Sequence, residues 1–137
     1  MNFETNKEKG NAGLSMAIAY FGSNGYVVSI PLNDTQDYDL VVEKNNKFYK
    51  IQCRATNYLT KDNIYQLSLT NTGGTKGTTY SRVIDSNVDF LFALCGDGTM
   101  FLIPKKVIKN KRAINLNKSN SKFNSTGRDY SKFIVTF

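Results

Sequence analysis

Four polar residues close together in the chain could do chemistry as a set: Asp37, Asp39, Gln52 and Arg54. They stand on two apolar-rich runs, Asp37-Tyr38-Asp39-Leu40-Val41-Val42-Glu43 and Phe48-Tyr49-Lys50-Ile51-Gln52-Cys53-Arg54, joined by Lys44-Asn45-Asn46-Lys47. The pattern reads as a β-hairpin with a four-residue polar link, because Asn accepts turn conformations. Laid side by side, the two strands bring Asp39, Gln52 and Arg54 towards one end of a sheet. Asp39 offers a hard anionic oxygen, Gln52 a neutral and weaker one, and Arg54 a permanent cation. Such a set suits phosphodiester hydrolysis assisted by Mg²⁺ or Mn²⁺, where the ion takes oxygen ligands and keeps positions open for water and phosphate. Asp37 lies two residues from Asp39, so a regular strand puts both on one face. It could add a second carboxylate whose repulsion from the first eases when a cation binds. Each residue also has a purely structural alternative. Asp39 could cap the strand entry, Gln52 could be a satisfied buried amide, and Arg54 could pair with Asp37 or Asp39.

The totals narrow the field. The chain has 137 residues, long enough to bury a core without staples, and a single domain over 1–137 is expected. It contains no His, which removes His-based acid–base and triad chemistry. Its two cysteines, Cys53 and Cys95, lie in apolar runs without Cys-x-x-Cys spacing, so two buried free thiols are expected rather than a zinc site. No apolar run reaches the roughly 18 residues of a membrane span and the first residues lack a signal-peptide core, so a cytoplasmic location is expected.

The net charge is +7, and its distribution is uneven. Residues 1–104 carry nine Lys and Arg against ten Asp and Glu, whereas 105–137 carry nine against Asp129 alone. A basic C-terminal segment on a nearly neutral body implies a polyanionic partner, nucleic acid above all. Its candidate phosphate contacts are Lys105, Lys106, Lys109, Lys111, Arg112, Lys118, Lys122, Arg128 and Lys132, with Lys76 and Arg82 upstream. A plain solubilising surface is the alternative.

The elements that must position these residues can also be read. Thr5-Asn6-Lys7-Glu8 has capping-box spacing, and Leu14, Ala17, Ile18 and Phe21 form a helical stripe that stops at Asn24-Gly25. A helix over 6–23 follows. Gly10 and Gly13 weaken it by about 1 kcal/mol each relative to Ala, so something is expected to pack closely there. Tyr26–Ile30 reads as a strand ended by Pro31, and Ile64–Leu69 as a strand with one solvated face. Residues 71–79 read as a glycine-rich flexible loop. Val88–Cys95 is apolar enough for a central strand covered on both faces, and Gly96-Asp97-Gly98 turns it into Met100–Ile103. A short helix is expected from Pro104. Residues 110–128 read as irregular, and 133–135 as a last strand or an apolar tail. The fold class is therefore α/β or α+β, a central mixed sheet with the first helix on one face.

Lys9-Gly10-x-x-Gly13, Gly25-Tyr26, Asp37-Tyr38-Asp39-Leu40-Val41-Val42 and Ile51-Gln52-Cys53-Arg54 follow one another in this order. So arranged, they resemble the PD-(D/E)XK nuclease superfamily, with its restriction-endonuclease-like core. The chain looks most similar to the small intron-associated homing endonucleases, and more distantly to Holliday junction resolvases. Asn87–Phe92 followed by Met100–Pro104 fits the same group, so the resemblance spans about 6–108. It implies that Asp39, Gln52 and the backbone carbonyl of Cys53 bind a divalent metal, and that Arg54 stands where a lysine orients water and stabilises charge. The acid that the first helix often contributes would fall at Leu14, or at Asn11 in members that carry it just after Lys-Gly.

Two functional expectations follow. One is a Mg²⁺- or Mn²⁺-dependent DNA endonuclease, of homing or junction type. A chain this small has little reach across a duplex, so a homodimer or homotetramer is expected. The other is a catalytically degenerate relative, a nucleic-acid- or protein-binding module of a phage or mobile element, favoured by Leu14 and Arg54. An unrelated basic α+β protein comes third.

Overall fold

The computed structural model describes residues 1, 3–33, 35–73, 80–82, 87–118 and 129–137. Its first helix, α1 (Asn6–Ser23), forms where its signals stand. The Thr5 hydroxyl accepts the Glu8 N–H at 3.1 Å, and the Glu8 carboxylate accepts the N–H groups of Thr5 and Glu4 at 3.1 and 2.7 Å. Three N–H groups at the helix start are thus satisfied, and Glu8 is occupied as a capping residue. At the other end the Asn24 N–H returns to Tyr20 and Phe21, and Gly25 takes φ +82°, a conformation glycine adopts at no steric cost.

The remaining elements are β1 (Val27–Ser29), β2 (Leu40–Lys44), β3 (Lys47–Thr56), β4 (Tyr65–Ser68), β5 (Asn71–Gly73), β6 (Tyr80–Arg82), β7 (Phe90–Cys95), β8 (Met100–Pro104), α2 (Lys105–Ile108), β9 (Ala113–Leu116) and β10 (Ile134–Val135). A 3₁₀ turn, Ser131–Phe133, leads into β10. The central sheet has the order β1-β2-β3-β7-β8-β10, antiparallel throughout except for the parallel β3–β7 pair. That parallel step makes the sheet mixed, and β4 to β6 lie in the crossover between its two strands. No helix is long and apolar enough to cross a membrane among the described residues.

The sheet separates two cores. On one face Ala17 and Phe21 of α1 pack on Leu40, Val42, Ile51, Phe92 and Leu94. On the other, Leu91, Ala93, Cys95, Phe101 and Ile103 are covered by Leu67, Leu69, Ile114 and Leu116, carried mainly by the β4–β9 pair. Residues of β7 alternate between these cores, so all from Leu91 to Cys95 are buried. This is the doubly covered strand that its apolar run predicts.

Four expectations need correction. The hairpin link is two residues, not four: Lys44 pairs with Lys47, and Asn45 and Asn46 alone turn the chain with φ of 54° and 61°. Positive φ at both central positions is the turn whose twist matches a tight hairpin, and Asn tolerates it. The supposed loop 71–79 begins as strand β5, paired with β6; residues 74–79 lie outside the described residues. The stretch 110–128 is not wholly irregular, because Ala113–Leu116 forms β9 against β4; residues 119–128 lie outside the described residues. Finally, of the two helix glycines only Gly13 is closely packed: an added Cβ there would lie 3.4 Å from the Arg54 carbonyl carbon, whereas at Gly10 it would meet nothing within 4 Å.

Candidate active site

The strand β3 outruns its partner β2. Pairing ends at Leu40 with Ile51, so Gln52 to Thr56 are paired on the β7 side only. This free edge is the floor of a cleft of about 710 Å³. Asn6, Lys9 and Gly10 of α1 border it, as do Gln66, Leu67 and Ser68 of β4. The β4 wall is tied down at the end of β3: the Thr56 hydroxyl donates to the Gln66 carbonyl at 2.7 Å and accepts the Tyr58 N–H at 3.1 Å.

Asp39 sits just before β2, where its own N–H donates to the Ile51 carbonyl at 2.8 Å. Its Oδ2 accepts the N–H of Cys53 at 2.8 Å. The Cys53 amide therefore points towards the free edge. N–H and C=O of one residue share a side of a strand, so the Cys53 carbonyl is directed to that edge too. Gln52 and Arg54 lie opposite Leu91 and Ala93, whose side chains belong to the β4–β9 core, so both face that side of the sheet. Asp39, Gln52, Cys53 and Arg54 all line the cleft, and the hairpin spacing of Asp39, Gln52 and Arg54 brings those three together.

The electrostatics follow from enclosure. Although Asp39 is exposed on its outer side, crowding in the cleft desolvates its carboxylate and raises its pKa, against the lowering effects of the Cys53 amide and the Arg54 charge. Desolvation likewise lowers the Arg54 pKa, opposed by Asp39, and a guanidinium so placed stays charged. Arg54 Nη1 also reaches the Ser68 carbonyl at 3.4 Å. Burial pushes both thiols up, Cys95 to about 12, so neither is a nucleophile.

Gln52 is the anomaly. It is 6% exposed, and its Oε1 is a buried side-chain oxygen with no hydrogen-bond partner among the described residues. Leaving a buried amide oxygen bare costs about 1–3 kcal/mol. Gln52 and the desolvated Asp39 line one cleft, so a buried acceptor in want of a partner and a carboxylate belong to the same site. One carboxylate, one amide oxygen and one strand carbonyl are all hard oxygen donors, and this set fits Mg²⁺ or Mn²⁺ in kind. No group of three or more His, Cys, Asp and Glu residues is assembled among the described residues.

Other expected residues fall elsewhere. Asp37 does not line the cleft. Leu14 packs on the core beneath α1 and Asn11 is exposed; the helix meets the cleft through Asn6, Lys9 and Gly10 instead. None of these three, nor Thr56, Tyr58 or Gln66, stands among the site candidates read from the sequence, although Lys9 and Gly10 belong to the pattern that carries the resemblance. The basic segment is built into the fold through α2, β9 and β10 rather than hanging from it. Lys105 and Lys106 lie on α2, Lys109, Lys111 and Arg112 on the link to β9, and none of them lines the cleft. Lys118 forms an ion pair with Asp97, and Lys132 lies over the Phe133 ring. Arg82 is on β6; Lys76, Lys122 and Arg128 lie outside the described residues.

This arrangement of strand edge, carboxylate and first helix has a counterpart in sequence: the PD-(D/E)XK endonuclease family matches residues 4–129. The chain belongs to the PD-(D/E)XK endonuclease family. A bacterial homing endonuclease, I-Ssp6803I, has a similar fold, with a TM-score of 0.80 over 95% of this chain and 88% of that one at 20% identity. No curated protein matches the chain.

Proposed function

We propose that this chain is a divalent-metal-dependent endonuclease acting on duplex DNA, of the homing or junction-cutting kind. The orphaned Oε1 of Gln52, on one cleft with the desolvated Asp39, carries the reading. Asp39, Gln52 and the Cys53 carbonyl are the residues to hold Mg²⁺ or Mn²⁺, which when bound polarises the scissile phosphate and an attacking water. The Cys53 N–H fixes one oxygen of Asp39 and leaves the other for a ligand. Arg54 holds a phosphate oxygen and offsets the charge that develops on it. It cannot take a proton from water, so that proton must leave through solvent or the phosphate itself. Lys105, Lys106, Lys109, Lys111 and Arg112 are then contacts to the phosphate backbone flanking the cut. A symmetric dimer or tetramer would give one cleft to each strand.

A second reading is a degenerate family member that binds DNA or a partner without cutting. Leu14 turned into the core and the absence of a three-acid cluster among the described residues favour it. Incubation with supercoiled plasmid and with branched duplexes, in Mg²⁺ or Mn²⁺, separates the two. Cleavage by the wild type and not by Asp39→Asn supports the enzyme. Salt-sensitive binding without cleavage in either metal supports the module, and no binding at low salt sinks both.

A further inference from the structure

Two cations line the cleft, and they are held differently. Arg54 is tied to the Ser68 carbonyl and lies in the field of Asp39. Lys9, half-buried near the start of α1, has an ammonium with no hydrogen-bond or ion-pair partner among the described residues. Beside it, Gly10 also borders the cleft, and an added Cβ there would meet nothing within 4 Å. Glycine weakens a helix interior relative to alanine. At Gly13 the fold supplies a reason, the Arg54 backbone at 3.4 Å; at Gly10 it supplies none. The open space belongs to the cleft, at the helix end whose dipole favours anions. The same cleft is also lined by the buried Gln52, whose Oε1 has no hydrogen-bond partner among the described residues.

We propose that Lys9 and Gly10 form a phosphate seat on α1. The Lys9 ammonium binds a non-bridging oxygen of the diester that Arg54 holds from the β3 side, and the missing side chain at Gly10 leaves room for it. Lys9 thus brings to the cleft an ammonium that Arg54 does not replace. The inference rests on the nuclease reading above and adds a residue outside the hairpin to it.

The test compares full-length wild type with Lys9→Ala, Lys9→Arg and Gly10→Ala. Duplex binding is measured without added metal across a salt series, alongside plasmid cleavage with Mn²⁺ and thermal melting. Lys9→Ala is expected to melt with the wild type, bind about tenfold more weakly, and lose about 0.9 from the slope of log K against log salt. Lys9→Arg restores the slope. Gly10→Ala melts higher than the wild type yet binds and cuts at least several-fold less well. If Lys9 is only a solvated surface lysine, Lys9→Ala leaves affinity and salt slope unchanged and Gly10→Ala binds and cuts as the wild type, the higher melting of Gly10→Ala following from helix propensity alone. Lys9→Ala and Gly10→Ala proteins that bind within twofold of wild type overturn the seat, and if they also cut normally the nuclease reading stands. A wild type that binds but never cuts overturns the nuclease reading, while the binding and melting series still decides the seat. A wild type that binds no duplex overturns both.

Discussion

The main-chain N–H of Cys53 donates to Oδ2 of Asp39 at 2.8 Å, so the strand that carries Gln52 and Arg54 also fixes the carboxylate. The bond can form because β2 stops pairing at Leu40, leaving the Cys53 amide without a strand partner on that side. Asp39 takes the place of the missing strand. The strand-entry bond engages one carboxylate oxygen and not the other, so a capping role and a ligand role are compatible at Asp39.

This geometry predicts a trade between stability and function at Asp39. Desolvation raises its pKa in the folded protein, so the folded state holds the proton more tightly than the unfolded chain does. The ionised carboxylate then costs stability at neutral pH, and the cost disappears as pH falls through the folded pKa to the ordinary value of 3.8. Asp39→Asn keeps an acceptor for Cys53 and removes the charge. It should melt above the wild type at pH 7–8, with the gap closing towards pH 4. Cleavage should fall by about a hundredfold or more, and added Mn²⁺ should raise the melting temperature of the wild type only. A mutant that melts lower at neutral pH would show that the carboxylate is mainly structural.

Arg54→Lys tests the other half of the site. A lysine at this position could lose its proton when desolvated, which arginine does not. Cleavage by the variant should equal or exceed that of the wild type and rise with pH to a plateau, a limb absent from the wild-type profile. The shorter hold on the Ser68 carbonyl should cost about 1 kcal/mol or less of stability. A variant that binds DNA normally but never cuts would count against charge and water positioning at this residue.

What the sequence discloses depends on how local the cause is. Helix α1 is legible because its cap, stripe and glycine stop all lie within it, and the Asp39–Gln52–Arg54 set is legible because a hairpin joins it. Strand β9 is not, since Ala113–Leu116 is four residues long and is a strand only by pairing with the distant β4. Strand β5 is hidden for the same reason, inside a glycine-rich run. The cleft walls were hidden as well. Lys9 and Gln66 reach the site through the packing of α1 and β4 on β3, which no spacing along the chain encodes. Leu14 packs against the core because the helix turns that face to the sheet, so it lends no side chain to the cleft.

Gly13 is a close contact through which α1 registers against β3. An alanine Cβ would lie at 3.4 Å from the Arg54 carbonyl carbon and oxygen, at the edge of ordinary contact. Gly13→Ala should therefore be nearly neutral, its gain in helix propensity of about 1 kcal/mol set against crowding. Gly13→Leu has no room; it should destabilise by about 1–3 kcal/mol and lower cleavage further than stability alone explains, by displacing Arg54. Denaturant melts combined with cleavage measured well below the melting temperature separate the two effects. A leucine variant with wild-type rates would mean that the site tolerates movement of α1.

Gln52 gives the sharpest test, because two substitutions pull stability and metal response in opposite directions. Gln52→Leu removes the orphan oxygen, and without metal it should be stabilised by about 1 kcal/mol, while its melting temperature no longer responds to Mn²⁺. Gln52→Glu places a second carboxylate beside the desolvated Asp39, where like charges and burial both oppose ionisation. Without metal at pH 8 it should lose about 1–3 kcal/mol. With Mn²⁺ it should recover that loss and reach half-saturation at about tenfold lower metal, since an anionic oxygen replaces a neutral one. Melting curves with and without the ion read all of this without any cleavage assay. If Gln52→Leu is destabilised and Gln52→Glu binds Mn²⁺ no better, the amide is a structural group whose oxygen is satisfied by water, and the metal site must be sought elsewhere in the cleft.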